Sequence, residues 1–446
     1  MTSSTPSRLA DRVRASVAQA ITENRPVMEG AVTGKLGLAL EVRGLRAAVG
    51  DLCSVERIGG EPVLAEVVGF RDDMTVVMTL ADADGVAPLD RVVDMGTRLK
   101  IPTGDALLGR VVDALGQPLD GGPPIAGPRR LLTGAAPPPL SRQPIREPFV
   151  TGSSAIDGML TCGLGQRVGI FAGSGVGKST LIGGIARGAN ADCNVIALVG
   201  ERGREVRDFI DDVLGPEGLA RSVVVVATSD APPLQRLKAP DTAAAIAEAF
   251  RDRGRNVLFV MDSVTRYANV VREVGLATGE PPTLRGYPPS LFAQLPRLVE
   301  RLGSSATGTI TGFLTVLVDG DDLNEPVSDA LRGYLDGHIV LSRTIAARGR
   351  FPSIDVLASV SRLMPQVTTE PHRAAAAQVR EWLAHYEEHR DLVGVGAYRR
   401  GADRLLDTAI DKIEAIEQLI HHGRESCTLA DTVARMQALT LGVAPR

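Results

Sequence analysis

Ala172-Gly-Ser-Gly-Val-Gly-Lys178-Ser179 is the stretch on which the fold turns. The apolar run Val168-Gly-Ile-Phe171 before it has strand character. Thr180-Leu-Ile-Gly-Gly-Ile-Ala-Arg187 after it carries the apolar spacing of a helix, up to Gly188 and Asn190. Strand, glycine-rich turn and helix in that order form the setting in which such a turn cradles phosphates. The backbone N–H groups of Gly173, Ser174, Gly175, Val176 and Gly177 are expected to curl around a β-phosphate. The N-terminus of the helix, with Ser179 and Thr180 in its first turn, adds a favourable dipole. Lys178 is placed to reach the β- and γ-phosphates, and the Ser179 hydroxyl to hold Mg²⁺. The first position of the usual G-x-x-x-x-G-K-[ST] pattern is Ala172, whose methyl is tolerable where φ stays negative. A plain surface turn is the competing reading. The chain has only five lysines against forty-four arginines, which argues against a chance lysine at that position. The ligand this stretch predicts is a nucleoside triphosphate, ATP, with Mg²⁺.

At 446 residues the chain is too long for one core and predicts two or three domains. Hydrophobic content of 44% with 23% charged residues fits a globular protein, and a net charge of −4 argues against a surface that coats nucleic acid. Cys53, Cys162, Cys193 and Cys427 have no CxxC spacing and read as reduced thiols rather than a disulfide or zinc framework. No apolar run approaches the ~18 residues that span a bilayer, and the first residues show no signal-peptide pattern. The expected location is cytoplasmic.

Residues 1–24 read as an amphipathic helix, with Leu9, Val13, Val17 and Ile21 on one stripe amid Arg8, Arg12 and Arg14. That stripe suits a partner helix or an acidic membrane surface, and equally suits packing back on its own domain. Residues 25–97 change to short β segments separated by Gly and Asp turns, which predicts a small barrel. An RNA-binding barrel needs aromatic stacking platforms, and Phe70 is the only aromatic residue here, so the barrel reads as an assembly module without nucleic acid. A Pro/Gly-rich connection over 98–150 leads into the nucleotide-binding domain, drawn here as 98–367, and residues 368–446 turn helical. Trp382 reads as core. His385 and His389 share a helix face; with His372, His421 and His422 scattered and no convergent third ligand, the reading is against metal there.

Two further acids belong with the loop. Val195-Ile-Ala-Leu-Val199 ends in Gly200-Glu201-Arg202, which puts Glu201 at the ligand crevice of a parallel α/β sheet, where it can orient the attacking water. Asn256-Val-Leu-Phe-Val-Met-Asp262 is a buried-strand run closed by an acid suited to Mg²⁺. Thr265 and Arg266 follow, within expected reach of the phosphates. Strand-like Thr309–Val318 and Gly337–Ser342 come later, with Asp319-Gly-Asp-Asp322 between them. Arg362 at the end of Ser359-Val-Ser-Arg362 has two readings by itself, a surface charge or an arginine finger.

Gly173–Ser179, Gly200-Glu-Arg-Gly-Arg-Glu205, Val260-Met-Asp-Ser-Val-Thr-Arg266 and Ser359-Val-Ser-Arg362, in this order and spacing, resemble the type III secretion ATPases. These are hexameric relatives of the rotary ATP synthase catalytic subunit. Gly286-Tyr-Pro-Pro-Ser290, Asp319–Pro326 and Leu335–Arg343 look most like the flagellar export branch, with the virulence (injectisome) ATPase close behind. The resemblance covers about 28–420. It implies an α/β fold with an N-terminal β-barrel, a central P-loop (RecA-like) parallel-sheet ATPase domain and a C-terminal helical domain. It implies catalytic Lys178, Glu201 and Arg362, the last as a finger reaching the neighbouring subunit; Ser179 and Asp262 on Mg²⁺; Arg266 on the phosphate side; and Phe351 stacked on adenine. The partners it implies are a homo-oligomer, regulator/stator and stalk proteins, and export chaperones and substrates. It also implies a peripheral position at the cytoplasmic face of the inner membrane. A non-catalytic ring subunit would lack Glu201, and an RNA translocase would need the stacking platform the barrel does not have.

Overall fold

A computed structural model describes residues 27–318, 320, 322–421 and 426–441. The helix expected over 1–24, Asp319, Asp321 and His422 lie outside these residues. The chain forms two compact units, divided between Leu99 and Lys100.

In the first unit β1 (Glu29–Leu36), β2 (Ala39–Arg43), β3 (Asp51–Glu56), β4 (Val63–Arg71), β5 (Met74–Thr79) and β6 (Arg91–Arg98) close a barrel in the order β1-β2-β5-β4-β3-β6. Alternation drives it: Leu40 and Val42 point inward from β2, to meet Val55, Val67, Val77 and Val92. Closure leaves no unpaired edge. Phe70 stands outside, 59% exposed.

The second unit is built on a parallel sheet. Its strands are β7 (Val111–Asp113), β8 (Arg167–Ala172), β9 (Cys193–Val199), β10 (Ser222–Ala227), β11 (Asn256–Asp262), β12 (Thr309–Leu317), β13 (Gly337–Leu341) and β14 (Ile354–Ser361). They lie in the order β14-β13-β8-β12-β11-β9-β10-β7, all parallel except β14. Helices α1 (Lys178–Gly188), α2 (Gly203–Asp208), α3 (Pro233–Arg251), α4 (Val264–Ala277) and α5 (Pro289–Arg301) accompany the strands. Every residue of β9 and β10 is buried, which is why these strands read as unbroken apolar runs without a period of two. The stretch over 98–150 is more than a connection. Val111 and Val112 are buried in β7, which pairs with β10 and extends the sheet; three residues between Gly109 and Gly116 are too few to show a period.

The C-terminal helices α6 (Glu370–Gly394), α7 (Arg404–Ile420) and α8 (Leu429–Leu441) join the core of this unit. Trp382, Val379, Ile416, Leu419 and Met436 are buried in one cluster with Ile156 and Met159. His372 is buried too, with its Nε2 2.8 Å from the Gly158 carbonyl, so it ties α6 to the short helix Ser154–Met159. Cys53, Cys162 and Cys193 are buried free thiols, and burial pushes the Cys53 thiol up to about 12.

Asp157 anchors the entry to this unit. Its carboxylate is fully buried and accepts from Thr151 N–H (2.8 Å), the Thr151 hydroxyl (2.7 Å) and Gly152 N–H (2.9 Å). Asp157→Ala strands three buried donors, each expensive to leave unmade, and is expected to lower unfolding stability by about 3 kcal/mol or more. A urea titration should show the midpoint falling with little change in slope; an unchanged midpoint would show that water replaces the carboxylate at no cost.

Candidate active site

The strand order brings the four elements of the site to one crevice at the carboxyl ends of β8, β12, β11 and β9. Ala172 pairs with Leu317 and Leu198 with Asp262, so the strands finish level and their following residues face one opening. Ala172 is the last residue of β8 and is buried; the left-handed backbone falls on Gly175 (φ 76°) and Gly177 (φ 86°), where no side chain opposes it. Gly177 also caps α1, and a Cβ there would sit 3.2 Å from the Phe351 ring. Gly173 is constrained differently, because a Cβ would lie 2.4 Å from Nε of Arg343. The Ser353 hydroxyl donates to the Val176 carbonyl at 2.6 Å and fixes the far side of the loop.

The Lys178 ammonium pairs with Asp262 and lies 3.7 Å from Glu201 Oε1. Asp262 is buried and accepts a 2.8 Å hydrogen bond from the Thr315 hydroxyl of β12. Glu201 is buried as well. Arg266, from the first turn of α4, donates to Glu201 Oε2 at 2.9 Å and to the Gly200 carbonyl at 2.6 Å. Burial pushes the Glu201 carboxyl up to about 7, helped by a hydrogen bond shared with Glu205 and the nearby Asp262 charge; Lys178 and Arg266 oppose it. Glu205, on α2, is held below the usual carboxylate range by the same shared bond. The Glu201 Oε1 atom is buried and makes no hydrogen bond with the described residues, and the Glu201 side chain lines a cavity of about 420 Å³. Ser174, Gly175, Ser179 and Thr180 line that cavity from the loop, and Asp262 and Arg266 from the sheet edge.

Most of the residues singled out in the sequence therefore meet in one place. Thr265 does not line the cavity: its hydroxyl accepts from Leu317 N–H at 2.8 Å and pins α4 to β12, because the helix starts beside that strand. Phe351 stands at the loop's edge, 40% exposed, with its ring against Gly177. Arg362 is exposed and stays outside the cavity of its own chain, where Nη2 donates to the Arg332 carbonyl at 3.1 Å. Thr315, Glu205 and Arg343 are additions from the structure. A threonine within the apolar, strand-like run Thr309–Leu317 was the available signal for the first, and the second stands in the Gly200–Glu205 stretch.

Comparison with known proteins shows the family to which a chain with this fold belongs. Residues 152–361 match the model of the ATP synthase alpha/beta family, nucleotide-binding domain, and 368–438 match the T3SS EscN ATPase C-terminal domain. A flagellum-specific ATP synthase of Bacillus subtilis (strain 168) is 52% identical over 415 residues, spanning 92% of this chain and 95% of the relative. The chain belongs to the type III secretion ATPase family. It is an ATPase with the nucleotide-binding domain of the rotary synthases. A type 3 secretion system ATPase of Xanthomonas euvesicatoria is 50% identical, covering 88% of this chain and 89% of that one. The assembled ATPase EscN of enteropathogenic E. coli has a TM-score of 0.85 at 42% identity, over 92% of this chain and 99% of that one; it has also been solved with its central stalk EscO.

The Gly177 geometry is directly testable. Gly177→Ala puts a side chain at a left-handed position and against the Phe351 ring, a strain of about 1–3 kcal/mol. Fluorescent-nucleotide titration is expected to show binding weakened about tenfold with the protein still folded; wild-type affinity would mean that the loop relaxes freely.

Proposed function

We propose that this chain hydrolyses ATP as one subunit of a homohexameric ring that energises protein export through the flagellar type III apparatus. The observation that carries the proposal is the Lys178–Asp262–Glu201 cluster at the loop, with Arg362 exposed outside it. The ring and its stalk partner are drawn from the assembled EscN relatives, and the flagellar assignment from relatives such as that of B. subtilis. Regulator/stator proteins, chaperones and export substrates, met at the cytoplasmic face of the inner membrane, complete the reading.

Each residue has a role in it. Lys178 leaves the acids and pairs with the β- and γ-phosphates as the nucleotide enters. The Ser179 hydroxyl and the Asp262 carboxylate, both hard oxygen donors, fit Mg²⁺, and Thr315 keeps the carboxylate aimed. When bound, Mg²⁺ neutralises charge on the phosphate oxygens. Once Lys178 has moved to the phosphates, Glu201 orients the attacking water through Oε1 and accepts a proton from it, while Arg266 fixes the other oxygen. Phe351 stacks on adenine. Arg362 serves the site of the adjacent subunit, so a lone chain holds an incomplete site.

Specific activity is accordingly expected to rise with protein concentration. Arg362→Ala should lose on the order of 10³ in kcat while still binding ATP, the usual scale for a transition-state arginine. A diluted monomer with full turnover would contradict the ring. Glu201 sets the pH dependence. Its carboxyl is raised, so the ionised form that takes the proton accumulates above about 7, and kcat/KM should climb through that pH. Glu201→Gln should remove turnover and that limb together; persistence of either would move the chemistry to another group.

A further inference from the structure

The end of the α6–α7 hairpin gathers side chains that the nucleotide site does not use. His385, Glu388 and His389 fall at i, i+3 and i+4 on one face of α6, and one ligand atom from each lies within 4.8 Å of the others. The third ligand missing from the sequence reading is thus on the same helix. Glu388 is exposed and makes no hydrogen bond or ion pair among the described residues. Arg390, the nearest cation along the helix, is already paired with Glu387 at 3.0 Å.

The hydrogen bonds of the two rings decide what each can offer. His385 Nε2 stands 2.9 Å from Asp403 Oδ2, and His389 Nδ1 stands 3.0 Å from the His385 carbonyl. Both partners are acceptors only, so in each neutral ring the bonded nitrogen carries the proton. That leaves the lone pairs of His385 Nδ1 and His389 Nε2 for a ligand. Metal-ligating histidines are oriented in this way, by a carboxylate or carbonyl on the far nitrogen. The rings lie 4.6 Å apart between centroids and 46° out of parallel. Asp403 is itself anchored, because its Oδ1 accepts from Leu405 and Leu406 N–H and caps α7.

We propose that His385, Glu388 and His389 form a divalent transition-metal site, with Asp403 as the positioning residue for His385. Two imidazoles and one carboxylate, with further positions open to water, select Zn²⁺, Co²⁺ or Ni²⁺ over Mg²⁺. The site is separate from the residues that would hold Mg²⁺ at the loop. A bound ion ties α6 through His385 and Asp403 to the first turn of α7, and so stiffens the hairpin end.

The test is titration of the full chain, stripped with chelator and free of nucleotide, with Co²⁺ followed by its visible absorption, and with Zn²⁺ against a chromophoric chelator. One equivalent per chain is expected, lost in His385→Ala/His389→Ala and retained in Asp262→Asn. Asp403→Asn keeps a good helix cap and should weaken binding about 10–100-fold, the usual effect of losing an outer partner of a ligating histidine. Circular dichroism melting of each metal-free variant checks the fold; should the double histidine variant unfold, exposed Glu388→Gln decides, with binding weakened about tenfold. No bound equivalent in the wild type overturns the proposal, as does an equivalent that survives loss of both histidines or disappears with Asp262.

Discussion

One ammonium group between two buried carboxylates is the constraint on which the nucleotide domain depends. Lys178 sits in a crevice with Asp262 and Glu201, and the local charge does not balance unless Arg266 or a proton helps. The Glu201 carboxyl is raised, chiefly by burial and further by the bond shared with Glu205 and the Asp262 charge, against the pull of Lys178 and Arg266. A buried pair of this kind adds little net stability, while removal of one partner leaves a charge stranded at a cost of about 3–5 kcal/mol. The arrangement is therefore better understood as readiness. On the proposed mechanism a triphosphate offers Lys178 stronger partners and leaves the two acids for metal and water.

The rest of the second unit serves to hold that cluster in register. β8 supplies the loop, β9 the glutamate, β11 the aspartate, and β12, lying between β8 and β11, supplies the threonine that aims the aspartate. Asp157 and His372 fasten the short helix before β8, the latter to the C-terminal helices, so those helices are part of the same packed body. Arg362 is held differently: it is exposed, and among the described residues its side chain hydrogen-bonds only the Arg332 carbonyl. On the proposed mechanism that is the feature that turns a folded chain into an inactive one until a second chain docks.

The loop, Glu201 and Asp262 were legible because each sits on a local pattern, a strand ending in a turn or an acid, and strand ends converge in a parallel sheet. What was not legible is contact across the chain. Thr315 meets Asp262 from 53 residues away, and Thr265, adjacent to Arg266 in sequence, turns to β12 instead of the phosphates. β7 was hidden by its length, since three residues show no period. At the α6–α7 hairpin the two histidines were plain in the sequence, but Asp403 reaches His385 only because the chain turns back through 18 positions. Family resemblance, rather than spacing, marked Arg362 and Phe351.

The central claim is that an active site is assembled from two chains, the acid from one and the arginine from the next. Mixing Glu201→Gln subunits with Arg362→Ala subunits tests it most directly. Each variant is expected to be inactive alone, and in an equal, randomly assembled mixture about a quarter of the interfaces carry both native residues. The account predicts that ATPase activity returns on mixing, towards that fraction of wild type. If the mixture stays as inactive as its parts, while still forming rings, then Arg362 does not act across the interface.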